Sequence, residues 1–303
     1  MSLLTIRCIK FLSLLSVAVF GLSACTSGLL ARNLDWLVER YVDDYFDLSD
    51  QQSELLSALV DDSTQRSANN SMPAVITLVD TAVSLLNDDE LSRELPTLAE
   101  ELDALGHRFS EDNRDNLIHF ALTIDDFQRQ QIAEQLQHRN DKYIKKHITP
   151  GEKARRKAFS KDVQRNAKRW LGRLSDQQKM LQQAFLQQYR LDESLWLESR
   201  EAWQQQFLQT LALPDEEQKK QRLTILIDNP EASFSAKQIS NSEFNNELSI
   251  KFLQSLIDTS SAQQKEKIRA QLMKLRKRVS GFQQAISFLP YQHHSSVYAF
   301  NAR

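Results

Sequence analysis

Histidines and adjacent carboxylates are the residues of this 303-residue chain whose types suit catalysis or metal binding. No two histidines have the H-E-x-x-H spacing that places two imidazoles and a general base on one helix face for zinc. His293 and His294 follow Pro290 in a polar stretch, where they could bind a metal adventitiously, and His119 is predicted to be a packed helix residue. We therefore predict no metal site and no cofactor.

Adjacent acids occur at Asp43-Asp44, Asp61-Asp62 and Asp125-Asp126. Glycosidases use two opposed carboxylates, so such pairs raise the possibility of an enzyme that acts on peptidoglycan. However, adjacent residues on a helix point about 100° apart, so none of these pairs forms an opposed dyad by itself. G-x-S-x-G is also absent from the sequence. We expect a protein that is not an enzyme and keep the peptidoglycan-acting enzyme as the alternative.

The first 25 residues indicate where the protein works. Arg7 and Lys10 precede the apolar stretch 11–22, which is too short to span a bilayer but suits a secretory signal. The stretch ends in Leu22-Ser23-Ala24-Cys25, which resembles the bacterial lipobox. We predict a signal peptide over 1–24 and Cys25 as the lipid attachment site, acylated by chains such as palmitate. The alternative is an ordinary signal peptide with a chance cysteine.

Cysteine usage agrees with an acylated N-terminus. Cys8 leaves with the signal and Cys25 takes the lipid, so the mature chain has no free thiol for a disulfide or a nucleophile. Several acyl chains anchor a protein stably, whereas one does not. Thr26 directly follows Cys25, at the position where Asp would favour retention in the inner membrane. We expect an outer-membrane lipoprotein that faces the periplasm, with membrane lipid as one partner and 25–32 as its tether.

Charge is distributed unevenly along the chain. Residues 35–126 hold 22 acids, five Arg and no Lys, whereas residues 139–173 hold 13 Lys or Arg and three acids. A second basic run, 265–278, has seven Lys or Arg and one Glu. Because like charges repel, each block needs opposite charge nearby. The blocks could therefore pair with each other, or one could face an external partner.

An external partner of the middle block would be anionic. The candidates are lipid A phosphates, peptidoglycan carboxylates, an envelope protein or an unfolded acidic polypeptide; nucleic acid is not expected in the periplasm. Seven basic residues form the candidate partner-binding stretch: Arg155, Arg156, Lys157, Lys161, Arg165, Lys168 and Arg169.

Only six glycines occur, and apolar residues recur at spacings of three and four. Because hairpins need Gly-containing turns, this pattern favours helices over strands. We predict an all-α fold, a multi-helix bundle of amphipathic helices without a substantial sheet. The helical periplasmic domain is predicted over 33–289, with a possible subdivision near 148–151 and a polar tail over 290–303. Prolines are expected to separate the helices: Pro73, Pro96, Pro150, Pro214, Pro230 and Pro290.

A short motif recurs at predicted helix starts. Leu-Ser-Asp-Gln-Gln occurs at Leu48–Gln52 and at Leu174–Gln178, and looser versions occur at Ile124–Gln128 and Thr259–Gln264. In a capping box the serine hydroxyl accepts from the third helical amide, and the glutamine returns the bond. Ser49 with Gln52 and Ser175 with Gln178 are therefore predicted to cap helices. The copies are unevenly spaced, which does not favour a solenoid.

Two resemblances follow from these residues. L-[ST]-x-x-Q at helix starts is similar to the motif of the periplasmic chaperones Spy and CpxP, which implies binding of unfolded proteins without ATP. Residues 33–37 and 41–52 resemble the opening of an uncharacterised family of proteobacterial lipoproteins, and Arg169–Ser175, Leu195-Trp196 and Trp203 resemble later parts of the same family. That resemblance implies fold and location and offers no functional residues.

Together these features predict a non-catalytic binding, scaffold or chaperone-like module in the cell envelope. Trp36, Tyr41, Tyr45 and Phe46 form an aromatic cluster shortly after Cys25. Core packing is the expected role of these rings, and a face at the membrane interface is the alternative.

Overall fold

A computed structural model describes residues 33–287 of the chain. Every regular element in this part is helical and no strand occurs there, which confirms the predicted all-α fold. The predicted signal peptide, Cys25 with its tether, and the tail from Pro290 onwards lie outside the described residues. The α-helices are α1 (Leu34–Asp43), α2 (Asp50–Asn69), α3 (Ser71–Asn87), α4 (Leu91–Ala121), α5 (Asp126–Tyr143), α6 (Gly151–Leu171), α7 (Asp176–Gln188), α8 (Glu193–Leu211), α9 (Glu216–Asp228), α10 (Ala236–Asp258) and α11 (Ala262–Ser287). A π-helical turn, Ile144–Ile148, precedes α6, and a 3₁₀ turn, Pro230–Ser233, precedes α10.

Several helices begin where a short polar side chain accepts from a free backbone amide of the first turn. Ser49, Asp125 and Ser175 each accept from the amide three residues later, and the glutamine at that position accepts from the cap amide. Ser261 makes the same two bonds with Gln264 before α11. Each cap stabilises its helix start by about 1 kcal/mol.

Two prolines predicted to separate helices lie inside them instead. Pro73 occupies the first turn of α3, where its missing N–H would have no partner in any case. Pro96 lies within α4 and leaves the carbonyl of Ser92 without its usual helical donor. The side-chain amide of Gln254, on α10, donates to that carbonyl at 2.9 Å. The prediction was wrong at Pro96 because a neighbouring helix supplies the lost hydrogen bond.

The core is built along α4, which has 31 residues and is therefore about 47 Å long. Near its C-terminal end, Ile118 packs in a cluster with Phe46, Ile132 and Leu223. Near its start, Leu91 packs with Leu171 and other apolar residues from α3, α10 and α11. None of the helices over 33–287 combines the length and apolar character that crossing a bilayer requires.

Candidate interaction surface

The predicted partner-binding residues lie on or near the exposed side of α6. This helix buries Ala167 and Leu171 and half-buries Phe159, Val163 and Trp170, so it packs by one side. Ala154 and Ala158 are exposed, so the packed side of α6 begins at Phe159.

Six of the seven basic residues are exposed, and one is not. The exposed residues are Arg156, Lys157, Lys161, Arg165, Lys168 and Arg169. Arg155 is half-buried, forms an ion pair with Glu193 of α8 at 3.4 Å, and donates to the carbonyl of Ile148 at 3.2 Å. Arg155 thus attaches the start of α6 to the π-helical turn and to α8.

Four of the exposed residues form the basic face, which we define as Lys157, Lys161, Arg165 and Lys168. They lie three or four residues apart, so they share one side of the helix, opposite the Phe159 side. At 1.5 Å per residue, the face is about 16 Å long.

Two ion pairs of exposed α6 residues lie within the helix. Arg156 contacts Glu152 at 2.8 Å, and the hydrogen bond and charge of Arg156 hold the pKa of Glu152 below its ordinary value. Arg165 pairs with Asp162. Within residues 33–287, no carboxylate lies within 4 Å of the side-chain nitrogen of Lys157, Lys161 or Lys168. Three of the four basic-face residues therefore have no carboxylate partner among residues 33–287.

The second basic run, on α11, has a different environment. Arg276 contacts Asp80 of α3 at 2.7 Å, and Lys265 pairs with Asp89 just after α3. Arg269 donates to the side chain of Asn87. The acidic N-terminal block thus supplies counter-charge to α11, while its contact with the middle block includes Asp44–Arg139 at 3.7 Å.

The capping glutamines meet in pairs, which sequence analysis did not anticipate. Gln52 and Gln128 exchange two side-chain amide hydrogen bonds of 2.9 and 2.6 Å and are both buried. Gln178 and Gln264 do the same at 3.0 and 2.9 Å. We call each pair a glutamine clasp. One joins the starts of α2 and α5, and the other joins the starts of α7 and α11.

The clasps follow one positional rule. Each glutamine amide also donates to a backbone carbonyl five residues before its partner glutamine. The four acceptors are the carbonyls of Thr123, Asp47, Thr259 and Arg173. The signal available in the sequence was the recurrence of Gln three residues after a cap, but no local pattern states which two helix starts meet.

Half-buried titratable groups lie close to the start of α6. Burial raises the pKa of Tyr143 and of Tyr189 to about 12, and burial also raises the pKa of Asp192. Burial, followed by the charge of Lys146, lowers the pKa of His147. Over residues 33–287 no group of three or more His, Cys, Asp or Glu is arranged to hold a metal ion.

An open groove of about 520 Å³ lies between α5 and α8. Its lining includes Leu136 and Leu208 and the buried pair Asn140 and Gln204, whose side chains hydrogen-bond at 2.8 Å. The groove is lined by neutral amides and apolar groups more than by charge, and sequence analysis gave no sign of it.

Comparison with known proteins gives one match. A family model described as a family of unknown function (DUF6279) matches residues 44–238, which is more than half of the chain. No curated protein and no solved structure matches.

Proposed function

We propose a function for this chain from the premise that it belongs to DUF6279, the family of unknown function whose model covers residues 44–238. The protein is an outer-membrane lipoprotein that faces the periplasm and binds acidic segments of envelope or unfolded polypeptides on α6. It acts as a scaffold or chaperone-like module and does no covalent chemistry.

The proposed location depends on the N-terminal sequence. An apolar stretch over 11–22 runs into Leu-Ser-Ala-Cys, the order of residues that lipoprotein processing uses, and Thr26 follows. Only Cys8 and Cys25 occur in the chain, so acylation at Cys25 would leave the mature protein without a thiol. This supports an anchor at Cys25.

One observation carries the proposed binding activity: Lys157, Lys161 and Lys168 project from α6 without a carboxylate within 4 Å among the described residues. Clustered charges of one sign speed the approach of oppositely charged chains and favour them over neutral ones. Lysine side chains are flexible and present point charges, so they contact many acidic sequences without demanding one geometry. Such binding suits a scaffold or chaperone with several clients.

The experiment compares two triple variants of the full-length acylated protein. Lys157→Gln, Lys161→Gln and Lys168→Gln remove three charges from the basic face. The matched control removes three exposed lysines from α10 and α11, by Lys237→Gln, Lys274→Gln and Lys277→Gln. Binding of fluorescent poly-L-glutamate is followed by anisotropy at ~50 mM and ~300 mM salt, where screening differs strongly.

We expect the basic-face variant to bind about tenfold more weakly than the control at the lower salt, and the difference to shrink at the higher salt. The basic-face variant should also be less effective than the control at suppressing the aggregation of an acidic client protein that has been unfolded by reduction. Equal binding by both variants, or no binding by the parent, would contradict the proposal. Release of fragments from purified sacculi by the parent would instead indicate the peptidoglycan-acting enzyme.

A further inference from the structure

The first helix carries an exposed apolar face that the protein core does not use. No residue of α1 is buried, and 54% of Trp36, 38% of Leu37 and 57% of Tyr41 are exposed. Trp36 with Arg40, and Leu37 with Tyr41, are four residues apart and lie side by side on this helix. We call Trp36, Leu37, Arg40 and Tyr41 the α1 face.

The α1 face differs from other exposed apolar residues. Among the other large apolar residues that are exposed in the described part, Phe109 and Leu117 share α4 but are eight residues apart, and each of the rest is on a different helix. Scattered residues of this kind are usual on protein surfaces. The α1 face gathers two aromatic rings and a leucine within six residues, while Val38 and Val42 on the other side of the helix are only half-buried. A concentrated apolar face of this kind marks an interaction surface.

Its composition is that of a membrane interface. Trp and Tyr concentrate where lipid tails meet head groups, and Arg pairs with lipid phosphates there. The guanidinium of Arg40 lies 5.9 Å from the Trp36 ring, and that of Arg139 lies 5.7 Å from the Tyr41 ring. Two exposed acids, Asp43 and Asp44, lie at the end of α1. Asp44 contacts Arg139 at 3.7 Å, so the charge of Asp44 is partly neutralised.

The short distance along the chain from Cys25 to Trp36 indicates what the α1 face contacts. Trp36 follows Cys25 by 11 residues, which span at most about 40 Å when fully extended. We propose that the α1 face lies in the head-group region of the bilayer that holds the acylated Cys25. This inference rests on the proposed lipid anchor and adds a second point of membrane contact to it.

Tryptophan quenching tests the inference. The acylated full-length protein is placed in vesicles of phosphatidylethanolamine and phosphatidylglycerol, with and without brominated acyl chains. Trp36 is one of four tryptophans, and the other three are half-buried in the protein. Brominated lipid should therefore reduce the total tryptophan emission by no more than the fraction that Trp36 contributes. Trp36→Phe should abolish this quenching, whereas Trp170→Phe should retain it.

A second pair of variants keeps all four tryptophans. Leu37→Glu places a charge on the α1 face and should reduce Trp36 quenching at least twofold. Leu117→Glu, at an exposed leucine of α4, should leave it unchanged. Acylated, vesicle-bound protein without quenching, or equal quenching in both variants, would overturn the inference while leaving the anchor intact. Mass analysis that finds no acyl chain on Cys25 would overturn both.

Discussion

The two basic runs of this chain lie on helices that meet the rest of the protein in different ways. α11 packs along α3, and its Arg276 and Lys265 pair with Asp80 and Asp89. α6 contacts α11 near its C-terminal end, where the carbonyl of Lys168 accepts from Lys267 at 3.2 Å, and it contacts the π-helical turn at its start. The side chains of its basic face are exposed. Basic residues of α11 thus form ion pairs within the protein, whereas those of the basic face on α6 are exposed.

A basic run in a sequence therefore indicates a binding surface only when the residues that contact it in the fold are known. Pairing with the N-terminal acids describes α11, and exposure to an external partner is the proposal for α6. The comparison predicts that substitutions that break the ion pairs of α11 affect folding, whereas substitutions on the basic face affect binding.

The largest effect is expected where α11 begins. Gln178→Ala removes a fully buried clasp residue and leaves the amide of Ser175 and the carbonyl of Thr259 without the hydrogen bonds that this side chain makes. The side-chain amide of Gln264 loses one of its two acceptors and keeps the carbonyl of Arg173. We expect a loss of about 3 kcal/mol in the free energy of unfolding, measured in urea, because buried polar groups lose their hydrogen bonds. Gln177→Ala, one residue earlier and exposed, should cost less than about 0.5 kcal/mol. Similar losses in both would show that the clasp does not stabilise the fold.

A smaller effect is expected from the partners of α11. Asp80→Asn combined with Asp89→Asn should lower the midpoint of thermal unfolding by about one or two degrees at low salt, and ~0.5 M NaCl should remove the difference. Glu100→Gln combined with Glu101→Gln removes two exposed acids of α4 from the same acidic block. This control should not destabilise the protein. A loss that persists unchanged at high salt would argue against electrostatic pairing.

A pH-dependent effect is expected at the attachment of α6. The pKa of His147 in the folded protein lies below its value of 6.5 in the unfolded chain, so the unfolded state binds the proton first as pH falls. Stability is therefore lost as pH falls from 6.5 towards the folded pKa. His147→Gln should reduce this loss in urea titrations at pH 7 and pH 5, whereas His138→Gln, at an exposed position of α5, serves as the control. Identical pH dependence in parent and His147→Gln would contradict the assignment.

The smallest effect on stability is expected on the basic face. Lys157→Gln, Lys161→Gln and Lys168→Gln together should change the free energy of unfolding by less than about 0.5 kcal/mol, because these side chains are exposed. Circular dichroism in urea measures this directly. A loss above about 1 kcal/mol would mean that α6, like α11, uses its charge for folding.

Much of the fold follows from local sequence, and much of the candidate surface does not. Low glycine content and apolar spacing indicate helices because helix formation depends on residues that are close together in the chain. The Pro96 prediction failed because the donor that rescues Ser92 comes from Gln254, 162 residues away. For the same reason the sequence locates the starts of α2 and α5 but not their clasp.

The distance along the chain between clasped residues has a consequence for the order of folding. Gln52 and Gln128 are 76 residues apart, and Gln178 and Gln264 are 86 apart. Contacts across such separations close only after the intervening segments have become compact. We expect the clasps to form after the folding barrier, so that losing one speeds unfolding far more than it slows refolding. The side-chain amides of the four clasp glutamines would then help to determine the unfolding rate, and so the lifetime of the native state.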